Sequence, residues 1–119
     1  MFAKLVHTTT LYAKATGAET TTAKYACPID FDYVVVDVSF IARYNNLSCP
    51  NPIPILKGGS AYIPYIQRAG SGMYMGIDSI GTLTNGTLTI PGIGAHSTYP
   101  NDTDYGELAC SLAFYKYTS

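Results

Sequence analysis

Thr82-Leu83-Thr84-Asn85-Gly86-Thr87-Leu88-Thr89-Ile90 is the stretch that decides how this chain folds. Two runs in which leucine alternates with threonine flank an Asn-Gly pair, and Asn and Gly tolerate the positive φ angles of a type I′ turn. A two-residue loop sets the register. Thr84 then faces Thr87, Leu83 faces Leu88 and Thr82 faces Thr89, which puts both leucines on one side of the hairpin and the threonines on the other.

The same alternation recurs on both sides of the hairpin. Tyr33-Val-Val-Val-Asp-Val-Ser-Phe-Ile-Ala42 is β-branched and aromatic, with Val36, Val38 and Phe40 on one face and Asp37 and Ser39 on the other, and it predicts a central strand. Leu108-Ala-Cys-Ser-Leu-Ala-Phe-Tyr-Lys-Tyr117 is apolar enough to require a place inside a sheet. Residues 2–6, 9–14 and 21–27 predict shorter strands, the last ended by Pro28. Residues 61–68 predict an edge strand because of Pro64, and 73–80 a strand in which Gly76 marks a bulge. Residues 44–60 hold prolines at 50, 52 and 54, which predicts a long extended loop pinned by Ile53, Ile55 and Leu56. Residues 91–106 are turn-rich. No window of eleven residues has helical spacing of apolar positions. Seven to nine short strands make this an all-β chain, a single domain over 1–119 folded as an antiparallel β-sandwich or jelly roll.

Composition narrows the function classes. The chain has 119 residues, 47% hydrophobic and only 13% charged, with a net charge of −1. That is too apolar for a disordered segment, while no run of about 20 apolar residues offers membrane insertion. Seven Lys plus Arg are too few for the phosphate contacts that drive nucleic-acid binding. The first residues lack the apolar stretch of a secretory signal, so synthesis without export is expected. Cys27, Cys49 and Cys110 are odd in number and without C-x-x-C spacing, so they read as small core fillers in a reducing compartment.

Catalytic groups are scarce. His7 and His96 are the two imidazoles, and Ser97 beside His96 would point to the opposite face of an extended chain, so solvated histidines are expected at both places and no catalytic residue is assigned. No phosphate-cradling loop or H-x-x-x-H pair occurs, and no cofactor is expected. The segment with most chemical character is 99–107, within a stretch lacking basic residues from 69 to 115. There Tyr99, Asn101, Asp102, Asp104 and Tyr105 combine aromatic faces with polar side chains, as a sugar-binding loop would. Asp102, Asp104 and Glu107 could offer oxygens to Ca²⁺, but the twelve-residue calcium-loop pattern is missing and no metal is assigned. The alternative for the whole segment is a solvated polar loop at one end of the sandwich. Low charge and eleven tyrosines also favour burial of an exposed face in a homo-oligomer.

The order of these features resembles a known group. A short strand ending Leu11-Tyr12, a Thr/Ala-rich segment from Ala18 to Cys27, the lead into Tyr33-Val-Val-Val-Asp-Val-Ser-Phe, then Arg68, a Gly/Ser turn and the Thr-Leu-Thr hairpin look like the small β-sandwich domains of tailed-bacteriophage virion proteins. The resemblance implies a non-enzymatic structural protein of a tail fibre, receptor-binding tip or head fibre. It further implies a homotrimer made in the host cytoplasm, in contact with other virion proteins and with a host-surface glycan or protein. Tyr12 stands where a Trp is expected, and the proline-rich insert at 50–54 is outside the pattern. The alternatives are a capsid-decorating or assembly protein without receptor binding, and a carbohydrate-binding module.

Overall fold

The computed structural model describes residues 2–16, 20–42, 45–48, 52–63, 73–77, 79–97 and 105–118, and those residues form strands and turns without a helix. The first sheet contains β1 (Phe2–Thr16), β3 (Tyr33–Ala42), β4 (Asn45–Ser48), β5 (Ile53–Leu56) and β10 (Tyr105–Thr118). Its order is β1-β10-β3, with β4 and β5 lying end to end along the far side of β3. The second sheet contains β2 (Thr20–Ala26), β6 (Ser60–Ile63), β7 (Met73–Ile77), β8 (Ser79–Thr84) and β9 (Thr87–Ser97). Its order is β2-β9-β8-β6, and β7 continues the line of β8 along β9. Ten segments therefore occupy eight positions, four in each antiparallel sheet, and the fold is a β-sandwich.

Strand periodicity places the core. Successive side chains of a strand point to opposite faces, so Val34, Val36 and Val38 of β3 and Cys110, Leu112 and Phe114 of β10 project together towards the second sheet. That sheet answers with Ala23, Ile63, Leu83, Leu88, Ile90 and Ile93, and all of these residues are buried. Each fully buried aliphatic side chain contributes about 1.5–3 kcal/mol relative to exposure.

The two outer faces differ. On the second sheet, Lys24, Thr89, Thr82 and Ser60 lie side by side across four strands as a polar row, next to which Tyr62 and Ile80 stand exposed. On the first sheet, the register sets Leu5, Tyr115, Tyr33 and Leu56 in one row.

The Asn-Gly hairpin has the expected register, with φ of 53° at Asn85 and 79° at Gly86 and both leucines buried. A Cβ added at Gly86 meets no atom within 4 Å, so an alanine there suffers only the left-handed backbone penalty of about 1–2 kcal/mol. Gly86→Ala is expected to lower the unfolding free energy by that amount in urea titration while leaving the circular dichroism of the folded state unchanged.

Several expectations are corrected. Residues 2–6 and 9–14 are one long strand, interrupted only by a register shift between Leu5 and His7. The expected loop over 44–60 contains β4 and β5, because an edge strand leaves outward donors unused and so accepts Pro54 opposite Val35. Ile55 is the buried anchor there, whereas Leu56 is 61% exposed and turned outward. The strand over 73–80 runs through Gly76 in register with Gly94, and its described residues belong to two strands, β7 and β8. The turn-rich stretch after Pro91 continues as strand to Ser97, since Gly92 takes φ of 72° and absorbs a register shift against β2. Pro64 and Cys49 lie outside the described residues, as do the side chains of Ser39 and Phe40.

Candidate functional site

One end of the sandwich gathers the connection over residues 27–32, the turn after β5 and the Asn85-Gly86 hairpin. Cys27 N–H donates to the Gly86 carbonyl at 3.1 Å, Lys57 N–H to Asp32 at 2.9 Å and Gly58 N–H to Leu83 at 2.8 Å. Asp32 closes the arrangement against β10: its N–H donates to the Tyr115 carbonyl at 2.8 Å and its carboxylate accepts from Tyr117 N–H at 2.6 Å. Gly58, with φ of 81°, permits the sharp turn after β5. Between these elements lies a depression of about 440 Å³, floored partly by Phe31 and bordered by Asp30 and Lys57. The Cys27 thiol beside it donates to the Ile29 carbonyl at 3.3 Å, and Cys110 is the buried core filler that was expected.

Asp30 joins three segments. Its carboxylate accepts from Lys116 Nζ at 2.6 Å and from Lys57 Nζ at 3.3 Å, and Lys57 also sits 5.4 Å from the centre of the Phe31 ring. The Lys116 hydrogen bond, then that of Lys57, holds the Asp30 carboxyl below its ordinary 3.8, while the same bond to Asp30 raises Lys116 above 10.5. A depressed carboxyl stabilises the fold above its unfolded pKa and loses that effect as pH falls through its folded pKa. A raised lysine loses its effect as pH climbs through its own. Asp30→Asn is therefore expected to melt slightly below the parent between about pH 4 and 10, with the gap closing at both extremes and in high salt, where exposed pairs are screened. Melting curves across pH at two salt concentrations check it.

Behind this end the two sheets are tied through an aromatic cluster. His7 of β1 and Tyr25 of β2 share a hydrogen bond of 2.6 Å between Nε2 and the hydroxyl. Both rings pack against Phe114 at 5.8 Å, and Phe31 meets Phe114 edge-on at 4.9 Å. His7 is thus a half-buried bridge between sheets, in place of the solvated residue expected from the sequence. The signal that could have found it is its place in an alternating strand, at an inward position after the register shift.

The surface of the same end is apolar. Among the described residues eight large hydrophobic side chains are exposed, and five of them, Phe2, Leu5, Ile29, Leu56 and Tyr117, belong to strand ends or loops at this end. Tyr33 stacks on Tyr115 at 5.1 Å and lies 5.5 Å from Tyr117, so these tyrosines form one rigid patch. Ionic groups of both signs, Asp30, Lys57 and Lys116, lie beside the patch. Such a surface suits burial against another protein, with aromatic anchors surrounded by a polar rim.

The loop candidates of the sequence are described only in part. Tyr99, Asn101, Asp102 and Asp104 lie outside the described residues. Tyr105 begins β10 opposite Thr16, and Glu107 stands opposite Lys14 and Ile41, both at the other end of the sandwich and both with side chains outside the description. His96 is placed in β9 opposite Tyr74 instead of in a loop. No group of three or more His, Cys, Asp or Glu side chains suited to a metal occurs among the described residues. Comparison of the chain with protein-family models, with curated proteins and with solved structures returns no match.

Proposed function

We propose that this chain is a non-enzymatic structural domain of a tailed-bacteriophage virion, a fibre or host-attachment domain that works as a homotrimer. The observation that carries the assembly part is the apolar end, where five exposed hydrophobic side chains and a stacked tyrosine pair adjoin ionic groups of both signs. A sandwich of this size buries about two-thirds of its unfolded surface, which leaves little other apolar area to gain except between copies. A second copy of the chain fits that end because charges of both signs border it, so that Asp30 of one copy can meet Lys57 of the other. The virion part is supported by the order of sequence features, from Leu11-Tyr12 to the Thr-Leu-Thr hairpin.

Light scattering tests the assembly. The expected mass is three times the 12.8 kDa of one chain. Leu5→Lys combined with Leu56→Lys is expected to give a folded monomer, since both side chains are exposed and neither supports the core. A parent chain that stays monomeric at micromolar concentration would overturn the trimer. Tail or capsid genes beside its own are the expected genomic setting, whereas a neighbouring glycosidase gene would favour the carbohydrate-binding module.

A further inference from the structure

The middle of the first sheet's outer face is hollow. Two adjacent rows of small side chains form a floor: Thr10, Ser111 and Asp37 in one, Thr8, Ala113 and Val35 in the next. They line a trough of about 450 Å³ with Pro52 at its rim, within the size range of small-ligand sites. The hollow arises from side-chain length. On one side the Leu5, Tyr115, Tyr33 and Leu56 row stands above the floor, and on the other Tyr12 projects outward, 57% exposed.

The chemistry of the lining selects the occupant. Three hydroxyls can each donate and accept, and the exposed Asp37 carboxylate has no hydrogen bond or ion pair among the described residues, so it is free to accept two donors. Among the described residues no cationic side chain lines the trough, which disfavours phosphate, sulfate or carboxylate ligands. An extended peptide would need an unpaired strand edge, but the floor centres on β10, whose backbone is laddered on both sides by β1 and β3. What remains is a ligand rich in hydroxyl donors with apolar C–H faces that can lie against a tyrosine wall.

We propose that this trough binds an uncharged saccharide, with Asp37 accepting from sugar hydroxyls, Thr8, Thr10 and Ser111 completing the hydrogen bonds, and the exposed Tyr12 ring packing against the sugar. The proposal rests on the reading of the chain as an attachment domain and gives that domain a site on a sheet face. The Leu5, Tyr115, Tyr33 and Leu56 row borders the trough on the side of the apolar end used for assembly, and the saccharide is assigned to the floor and the Tyr12 side.

The test uses a glycan array of neutral hexose, N-acetylhexosamine and deoxyhexose oligosaccharides with their sialylated and sulfated counterparts, followed by calorimetric titration of the best neutral sugar. Binding to neutral glycans is expected, with no gain from added acidic groups. Asp37→Ala removes charge-assisted hydrogen bonds and is expected to weaken binding by about tenfold or more. Ala113→Tyr, which fills the floor, is expected to abolish it. Both variants should keep the parent's mass and melting temperature, since both positions face outward. Absence of binding to every neutral glycan, preference for acidic ones, or unchanged affinity in both variants would overturn the site. If mass stays trimeric while sugars fail, the saccharide site falls and the assembly reading stands. A monomer that still binds sugar through Asp37 is the reverse case.

Discussion

Replacing Phe114 by alanine is expected to lower the unfolding free energy by about 3–5 kcal/mol, the range for deleting a buried aromatic side chain. Phe114 is fully buried and touches three rings from three different segments: His7 of β1, Tyr25 of β2 and Phe31 of the connection between β2 and β3. Collapse around the vacancy is limited, because His7 and Tyr25 are held by their mutual hydrogen bond and Phe31 by the stitched loop on either side of it. A domain has about 5–15 kcal/mol in total. The variant should therefore unfold at markedly lower urea concentration, with a melting temperature depressed by at least ten degrees, about what that loss implies for a domain of this size. A drop below 1 kcal/mol would show that Phe114 is not the centre of the inter-sheet packing.

The second large effect comes from the polar bridge. Tyr25→Phe removes the hydroxyl and leaves His7 Nε2 part-buried without its partner, a loss of about 1–3 kcal/mol. His7→Leu has the reciprocal effect on the Tyr25 hydroxyl. The informative variant is the double one: with both polar groups gone nothing is left unsatisfied, so the combined loss should be smaller than the sum of the single losses. Denaturant unfolding of all four proteins measures the coupling. Strict additivity would mean that the two groups do not depend on one another.

Much of this architecture is legible in the sequence, for a physical reason that also marks where legibility stops. The hairpin at Asn85-Gly86, the buried face of β3 and the interior position of β10 all rest on local rules: turn chemistry and alternation of side chains. Segments whose structure depends on a distant partner were harder to read. Residues 45–48 and 53–56 look like a loop because of the prolines at 50, 52 and 54, and they become strands only because β3 offers them an edge. His7 reads as solvated until β2 brings Tyr25 to it, and the union of residues 2–6 with 9–14 requires the continuous ladder of β10. Of the functional surface, the tyrosines on β3 and β10 were visible individually, but their stacking comes from cross-strand register. The trough over Thr10, Ser111 and Asp37 likewise exists only once three strands lie side by side.

The position of β10 has a kinetic consequence. Phe2 and Thr118 pair across 116 positions, and β10 separates β1 from β3, which would otherwise have no common neighbour. The first sheet therefore cannot assemble progressively as the chain leaves the ribosome; β1 must wait unpaired, and β3 with one edge covered by β4 and β5 and the other open, until β10 arrives. Loop closure over such separations makes folding slow and exposes the waiting strands to pairing with other molecules. The second sheet contains the local β8–β9 hairpin, and it supplies the surface on which that delayed insertion can occur.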